Sequence, residues 1–268
     1  MILLVHGLGD HGGRFRPFAE RMCRRGWAIA AADLPGHGLT PGRRGIAKSY
    51  DSILRLLSLI RQEIDQRIPD TPHHVLGHSM GANFAASFAL RREEFDPSWM
   101  KPLAGLLLIA PMVMPPEFFD RQRVFAAWGT GHLLRWLRIK KPARAEQLIR
   151  DSELAARLQS DPLLRQHISL YLATQLVAQG RFLLDQAGRI ASPTMLIYGD
   201  EDELIDQKAC RNLSIRIGRH ADLVTWPGGR HDLLNDADAE MVADQISRWI
   251  GSHSDAVTRP NTAVRLAA

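Results

Sequence analysis

The sequence predicts an α/β fold built on one mostly parallel sheet with helices on both faces. Short apolar runs typical of buried strands alternate with helical patterns along most of the 268 residues. The run at residues 103–110 is apolar throughout, as expected for a strand covered on both sides. With 45% hydrophobic and 24% charged residues, the composition suits one globular domain with a sizeable core.

The predicted elements follow one another in the order expected of such a sheet. We expect strands at residues 2–5, 27–33, 73–76, 103–110, 194–198 and 222–226. We expect helices at residues 14–25, 50–68, 82–90, 207–217 and 237–250. The first two helices carry apolar residues at helical spacing on one face, which indicates that this face packs against the sheet.

The segment at residues 111–192 interrupts this alternation. Its pattern is helical with breaks at prolines and glycines, and no strand is predicted within it. We therefore predict a core formed by residues 1–110 and 193–251, a helical cap at 111–192 and a mobile tail at 252–268. Ligands of parallel α/β sheets bind at the carboxyl ends of the strands, where such a cap would lie.

A candidate nucleophile lies between the third predicted strand and the helix that follows it. Gly77, Ser79 and Gly81 have the spacing of a nucleophile elbow, in which a strained strand-to-helix turn holds a serine hydroxyl above the sheet. Side chains at the two glycine positions would clash with the neighbouring backbone. The alternative is an ordinary junction whose serine caps the helix. The strand before and the small, alanine-rich helix after Ser79 favour the elbow.

A glycine-rich loop at residues 6–13 follows the first strand directly. It contains neither the lysine of a phosphate-binding loop nor the glycine spacing of a dinucleotide site. A loop of small residues also lets backbone N–H groups face a developing negative charge. We therefore predict an oxyanion hole formed by the N–H groups of Leu8 and Met80, with a plain strand-to-helix turn as the alternative.

A serine nucleophile needs a base and an orienting acid. Among the 11 histidines, His231 follows a strand through a Gly-Gly turn and precedes a helix, which places it at the same sheet edge as Ser79. Asp202 occupies the equivalent position one strand earlier. Asp200 lies very close to the strand end, and Asp206 is expected to cap the next helix. The chain order Ser79, Asp202, His231 is that of the α/β hydrolases.

The formal net charge is +5 and the sequence pI about 9.6, which permits contact with anionic lipid or nucleic acid. We find no nucleic-acid-binding module. Cys23 and Cys210 have no metal or redox spacing and indicate a reduced, cytoplasmic protein. No run has the length of a membrane span, residues 1–5 lack the flanks of a signal peptide, and no metal or organic cofactor is expected.

Six motifs give the chain a resemblance to the monoacylglycerol lipase and bacterial lysophospholipase group of serine α/β hydrolases, also described as serine aminopeptidase-like. The motifs are His6-Gly7-Leu8-Gly9-Asp10-His11, Asp33-Leu34-Pro35-Gly36-His37-Gly38, Gly77-His78-Ser79-Met80-Gly81, Asp161-Pro162-Leu163, Gly199-Asp200-Glu201-Asp202 and Gly228-Gly229-Arg230-His231. The resemblance implies hydrolysis of monoacylglycerol or lysophospholipid esters by a Ser-His-Asp triad. It also implies that Asp10 and Arg14 help to hold the substrate headgroup.

The chain departs from this group at its start, because members carry two further strands before the one that opens here at Ile2. Without them, we expect the strand at residues 28–33 to lie at the edge of the sheet.

The predicted cap combines aromatic and apolar residues with basic ones. They are Phe118, Phe119, Phe125, Trp128, Leu133, Leu134, Trp136 and Leu137, with Arg135, Arg138, Lys140 and Lys141. We expect an apolar channel for an acyl chain, and the basic face allows peripheral contact with anionic membrane. An aminopeptidase with the same triad and a non-catalytic hydrolase-like binding protein are the alternatives. A dehalogenase or epoxide hydrolase would need Asp at position 79. The sequence predicts no oligomeric state.

Overall fold

The computed structural model describes residues 1–97, 103–115, 136–140, 143–164 and 167–253. Its strands are β1 Ile2–Val5, β2 Ile29–Ala31, β3 His74–His78, β4 Gly105–Ile109, β5 Arg138–Lys140, β6 His167–Ser169, β7 Thr194–Gly199 and β8 Ala221–Trp226. Its α-helices are α1 Arg16–Arg24, α2 Tyr50–Arg67, α3 Met80–Leu90, α4 Arg92–Phe95, α5 Ala145–Leu148, α6 Ser152–Ser160, α7 Leu170–Gln186, α8 Gln207–Ile217 and α9 Ala239–His253. Short 3-10 turns lie at Gly12–Phe15, Ala187–Arg189 and Gly218–His220.

Six strands form one parallel sheet in the order β2-β1-β3-β4-β7-β8. This arrangement confirms the predicted fold class. The four central strands are buried along their whole length, whereas β8 is half-exposed at one edge. As expected, β2 lies at the other edge of the sheet as the structure describes it. It pairs over only three residues with β1, so the predicted strand at 27–33 is shorter than expected.

Alternating side chains of the central strands point to opposite faces of the sheet and build two core layers. On one face, Val75 and Leu108 pack with helices α2, α3, α7 and α8. On the other face, Leu76 and Leu107 pack with α1 and α9. Helices therefore cover both faces, as predicted. Side chains at the helix starts fix where several of them begin; Asp206, for example, caps α8 by accepting the Ala209 N–H.

The segment at residues 111–192 contains two strands, so the prediction of no strand there is wrong. β5 and β6 form an antiparallel pair, and the Ser169 N–H at the end of β6 donates to Gly45 O at 2.9 Å. Each strand has three residues, too few for an alternating pattern to be read from the sequence. Their pairing also joins positions about thirty residues apart, which only tertiary structure brings together.

Several expectations concern residues outside those the structure describes. These are Phe118, Phe119, Phe125, Trp128, Leu133, Leu134, Arg135 and Lys141 of the cap, and residues 254–268 of the tail. Helix α9 continues through His253, so it includes the first two residues of the predicted tail, Ser252 and His253. Trp136 is 60% exposed and Leu137 44% exposed; contact with anionic membrane stays a prediction. None of the helices in the described ranges is both long and apolar enough to cross a bilayer.

Candidate active site

Ser79 lies in a strained turn between β3 and α3. Its backbone has φ +55° and ψ −117°, a conformation that residues with a side chain rarely adopt. A Cβ atom at Gly77 would lie 2.4 Å from Ala82 Cα, and one at Gly81 would lie 2.0 Å from Val5 O. This confirms that both positions require glycine. The Ser79 side chain makes no helix-capping hydrogen bond, which argues against the capping alternative.

The structure brings Ser79, His231 and Asp202 together in one chain of hydrogen bonds. His231 Nε2 lies 2.9 Å from Ser79 Oγ, and His231 Nδ1 lies 2.8 Å from Asp202 Oδ2. The other carboxylate oxygen of Asp202 accepts the Leu204 N–H at 2.8 Å, so the acid is held at both oxygens. His231 and Asp202 are both buried. An ionised acid at Nδ1 fixes the imidazole tautomer that leaves Nε2 free to accept a proton.

The two rival acids lie elsewhere. Asp200 is exposed, and its carboxylate accepts the Gly228 N–H at 2.6 Å, which closes the turn after β8. Asp206 caps α8. The loops that carry Asp202 and His231 approach so closely that a Cβ at Gly199 would lie 1.9 Å from Gly229 O. Glycine at position 199 therefore allows the Asp202 and His231 side chains to meet.

The loop after β1 runs beside the elbow. The Leu34 N–H donates to His6 Nε2 at 2.9 Å, so the His6 proton is on Nδ1, which donates to Gly7 O at 2.9 Å. Burial lowers the pKa of His6, and the ring is neutral. Leu8 lies in the cavity wall beside Ser79. Met80 is the first residue of α3, where a backbone N–H has no partner within the helix.

Asp10 and Arg14 also lie in the cavity wall, where they form an ion pair with each other. Arg14 Nε donates to Asp10 Oδ1 at 2.6 Å, and its Nη1 donates to Asp232 Oδ2. Burial alone would raise the pKa of Asp10, but the Arg14 charge and hydrogen bonds outweigh this and hold the pKa at about 2. Asp232 was not predicted as a site residue, although it directly follows His231.

Two further contacts tie the segment at residues 143–164 to the core. His11 Nε2 lies 2.9 Å from Asp161 Oδ2, which joins the loop after β1 to the end of α6. Arg150 Nε donates to Asp236 Oδ2 at 3.0 Å, which joins the residues after α5 to the loop that carries His231. Neither contact could be predicted from the sequence, because each pair joins residues more than eighty positions apart.

A cavity of about 710 Å³ opens above Ser79 and His231. Apolar side chains line it on the side of the cap segment and its neighbours; they include Met112, Leu148, Leu158, Leu164 and Leu204. Charged side chains also line it; they are Asp10, Arg14, Arg144, Glu146 and Asp161. Within the part of the chain that the structure describes, His, Cys, Asp and Glu side chains form no cluster suited to a metal ion. The cavity can therefore take a ligand that has both an apolar and a polar part, close to the Ser79 hydroxyl.

Comparison with known proteins places this chain in a family. A family model described as serine aminopeptidase, S33, matches residues 1–238. An uncharacterized abhydrolase domain-containing protein of Dictyostelium discoideum is 26% identical over 251 residues, which are 93% of this chain and only 26% of that protein. The monoacylglycerol lipase of Mycolicibacterium smegmatis is 25% identical over 255 residues, 94% of this chain and 88% of the relative.

The solved structures agree with the sequence comparison. The crystal structure of Paleococcus ferrophilus monoacylglycerol lipase has a TM-score of 0.84 and 25% sequence identity, and the match covers 94% of both chains. The shared fold and the long family match lead to the same conclusion. The chain has the α/β-hydrolase fold and belongs to the serine aminopeptidase, S33, family of hydrolases.

Proposed function

We propose that this chain hydrolyses single-chain lipid esters, monoacylglycerol or lysophospholipid, with Ser79 as nucleophile, His231 as base and Asp202 as orienting acid. The relatives named monoacylglycerol lipase and their shared fold make the chain a carboxylic ester hydrolase. The observation that carries the proposed mechanism is the hydrogen-bonded path from Ser79 Oγ through His231 to Asp202, with contacts of 2.9 and 2.8 Å.

The reaction begins when Ser79 Oγ attacks the ester carbonyl and His231 Nε2 takes the hydroxyl proton. Asp202 stabilises the imidazolium that forms, and the Leu8 and Met80 N–H groups stabilise the negative oxygen of the tetrahedral intermediate. The intermediate collapses to an acyl-enzyme as the alcohol leaves with the proton from His231. Water, activated by the same base, then releases the fatty acid and restores the Ser79 hydroxyl.

The shape and lining of the cavity support an acyl ester over a peptide. Its apolar lining residues, which include Leu148 and Leu158, suit an acyl chain, and its volume of about 710 Å³ accommodates a ligand much larger than an acetyl group. An aminopeptidase would need a carboxylate in the wall to bind the substrate amine. Of the three carboxylates that the structure places in the lining, Asp10 is paired with Arg14 and Asp161 with His11, and Glu146 is exposed. Glu146 is therefore the carboxylate on which an aminopeptidase would depend.

The test compares the wild type with Ser79→Ala in two assays. We expect the wild type to react stoichiometrically with a fluorophosphonate probe and to hydrolyse long-chain monoacylglycerols or lysophospholipids faster than aminoacyl amides. Ser79→Ala should lose labelling and at least about a thousandfold in kcat. Ser87→Ala is the matched control, because Ser87 is buried in the same helix, is not among the residues that line the cavity, and accepts a hydrogen bond from the Tyr50 hydroxyl. This variant should keep wild-type kcat.

Each result has a distinct meaning. Full turnover by Ser79→Ala would remove the assignment of the nucleophile. A labelled wild type that prefers aminoacyl amides over every lipid ester would favour the aminopeptidase. A wild type that neither reacts with the probe nor turns over any ester would favour the non-catalytic binding protein.

A further inference from the structure

We propose that Arg14 and Asp232 are positioning residues that hold the loop of His231 at a fixed distance from the oxyanion loop at residues 6–13. The inference rests on the proposed function, in which His231 is the base and Leu8 supplies an oxyanion N–H. In this proposal Arg14 holds two loops together and does not bind a substrate headgroup. Asp232 is the buried carboxylate to which Arg14 is tied.

Asp232 is fixed on three sides. Its carboxylate accepts a hydrogen bond from Arg14 Nη1 and another from Asn235 Nδ2 at 3.1 Å. Its backbone N–H donates to Leu148 O at 2.9 Å. The side chain is 1% exposed and does not line the cavity, so it cannot act by touching a substrate. Because Asp232 directly follows His231, these contacts set the position of the base.

Arg14 carries the constraint to the oxyanion loop. Its Nε donates to Asp10 Oδ1 at 2.6 Å and its Nη2 donates to Asp10 Oδ2, so the planar guanidinium grips both oxygens. Asp10 Oδ1 also accepts the His11 N–H at 2.8 Å, and the Asp10 N–H donates to Gly7 O at 3.4 Å. A short path of hydrogen bonds thus runs from the residues around Leu8 to the residue beside His231.

Arg14, Asp10 and Asp232 are largely buried, which favours a fixed structural link over a mobile side chain that binds headgroups. The Arg14 side chain is 13% exposed and that of Asp10 is 6% exposed. Three of the five guanidinium N–H groups are already engaged, and loss of either carboxylate contact would leave a buried charge partly unpaired. An arginine whose role was to bind a substrate headgroup would not need to pair with two carboxylates, one of them the buried Asp232.

Catalysis needs this spacing, because the base and the oxyanion donor act on the same carbonyl group at the same moment. A displacement of about 1 Å between reacting groups lowers the rate by as much as about a hundredfold. A bridge between the two loops therefore acts on kcat, whereas a contact with the substrate headgroup acts on the binding of substrates that carry one.

The experiment measures Asp232→Asn and Arg14→Lys on two substrates, p-nitrophenyl butyrate, whose leaving group has no hydroxyls, and a monoacylglycerol. For Asp232→Asn we expect kcat on both substrates to fall about tenfold to a hundredfold, with KM within about threefold of the wild type. Arg14→Lys keeps the charge but cannot grip two carboxylates, so it should lower kcat on both substrates in the same way. Rates are expressed per serine labelled at completion by a fluorophosphonate, which corrects for misfolded protein.

Asp96→Asn is the matched control. Asp96 is also a buried carboxylate held by arginines, Arg61 and Arg92, and it does not line the cavity. This variant should lose stability but keep kcat per labelled serine. The proposal is overturned if Asp232→Asn keeps wild-type kcat on the butyrate ester, or if Asp232→Asn and Arg14→Lys raise only the KM for monoacylglycerol. A wild type that the probe does not label would instead refute the proposed function.

Discussion

The backbone strain at Ser79 can be measured by comparing two substitutions, Ser79→Ala and Ser79→Gly. Both remove the hydroxyl and its hydrogen bond to His231, so they differ only in the Cβ atom. At φ +55° and ψ −117° a Cβ costs about 1–3 kcal/mol, and glycine adopts this conformation freely. Glycine loses about 0.5–1 kcal/mol more in chain entropy on folding than alanine. The net expectation is that Ser79→Gly is more stable than Ser79→Ala by about 1 kcal/mol.

Urea denaturation of both variants gives the difference in the free energy of unfolding, and a thermal midpoint higher by about 2–4 °C would accompany it. Ala156→Gly is the control, because Ala156 is exposed in helix α6, where the same change should destabilise by about 0.5–1 kcal/mol. The reasoning is wrong if the free energy of unfolding of Ser79→Gly is lower than that of Ser79→Ala by as much as Ala156→Gly is lower than the wild type. The turn would then store no strain.

Two further predictions concern ion pairs of the site. The folded pKa of Asp10, about 2, lies below its ordinary value of 3.8, so its ionised form stabilises the native state above about pH 4, and this is lost as the pH falls toward 2. Between about pH 4 and pH 2 the free energy of unfolding, measured by urea denaturation, should fall by about 2 kcal/mol more for the wild type than for Asp10→Asn. An equal fall in the two proteins would contradict this. Arg150→Gln removes the contact with Asp236 and should raise KM for a long-chain monoacylglycerol about threefold, with little change for p-nitrophenyl acetate. Equal changes for both esters would show that the contact does not hold the cap.

The strands of the sheet, and the candidate site residues that directly follow them, could be predicted from the sequence. The apolar runs of the four central strands are buried, and most of their side chains lie in two core layers, so a pattern of hydrophobic residues predicts these strands. Ser79, Asp202 and His231 each follow a parallel strand, and such strands end at one edge of the sheet. Local sequence together with topology therefore predicted that the three side chains would meet.

Other features depend on contacts that no local pattern records. The Arg14 guanidinium is paired with a carboxylate 218 positions away, and several acids were equally available in the sequence. The strands β5 and β6 are held by pairing with each other and not by an alternating pattern of their own. The lining of the cavity also depends on contacts between residues distant in sequence, so it could not be predicted from a local pattern.

The proposed catalytic residues and the apolar lining of the cavity come from different parts of the chain, but Asp232 contacts both parts. The proposed nucleophile, acid and base follow strands of the sheet, whereas the apolar lining of the cavity comes largely from residues 112–164. Because Asp232 donates its N–H to Leu148 O, the cap segment contacts the residue beside His231 directly. Arg230 Nη1 reinforces this contact by donating to Glu146 O at 2.5 Å. Changes elsewhere in the cap should therefore alter which ester binds, while changes that move Leu148 should also alter how fast it is cleaved.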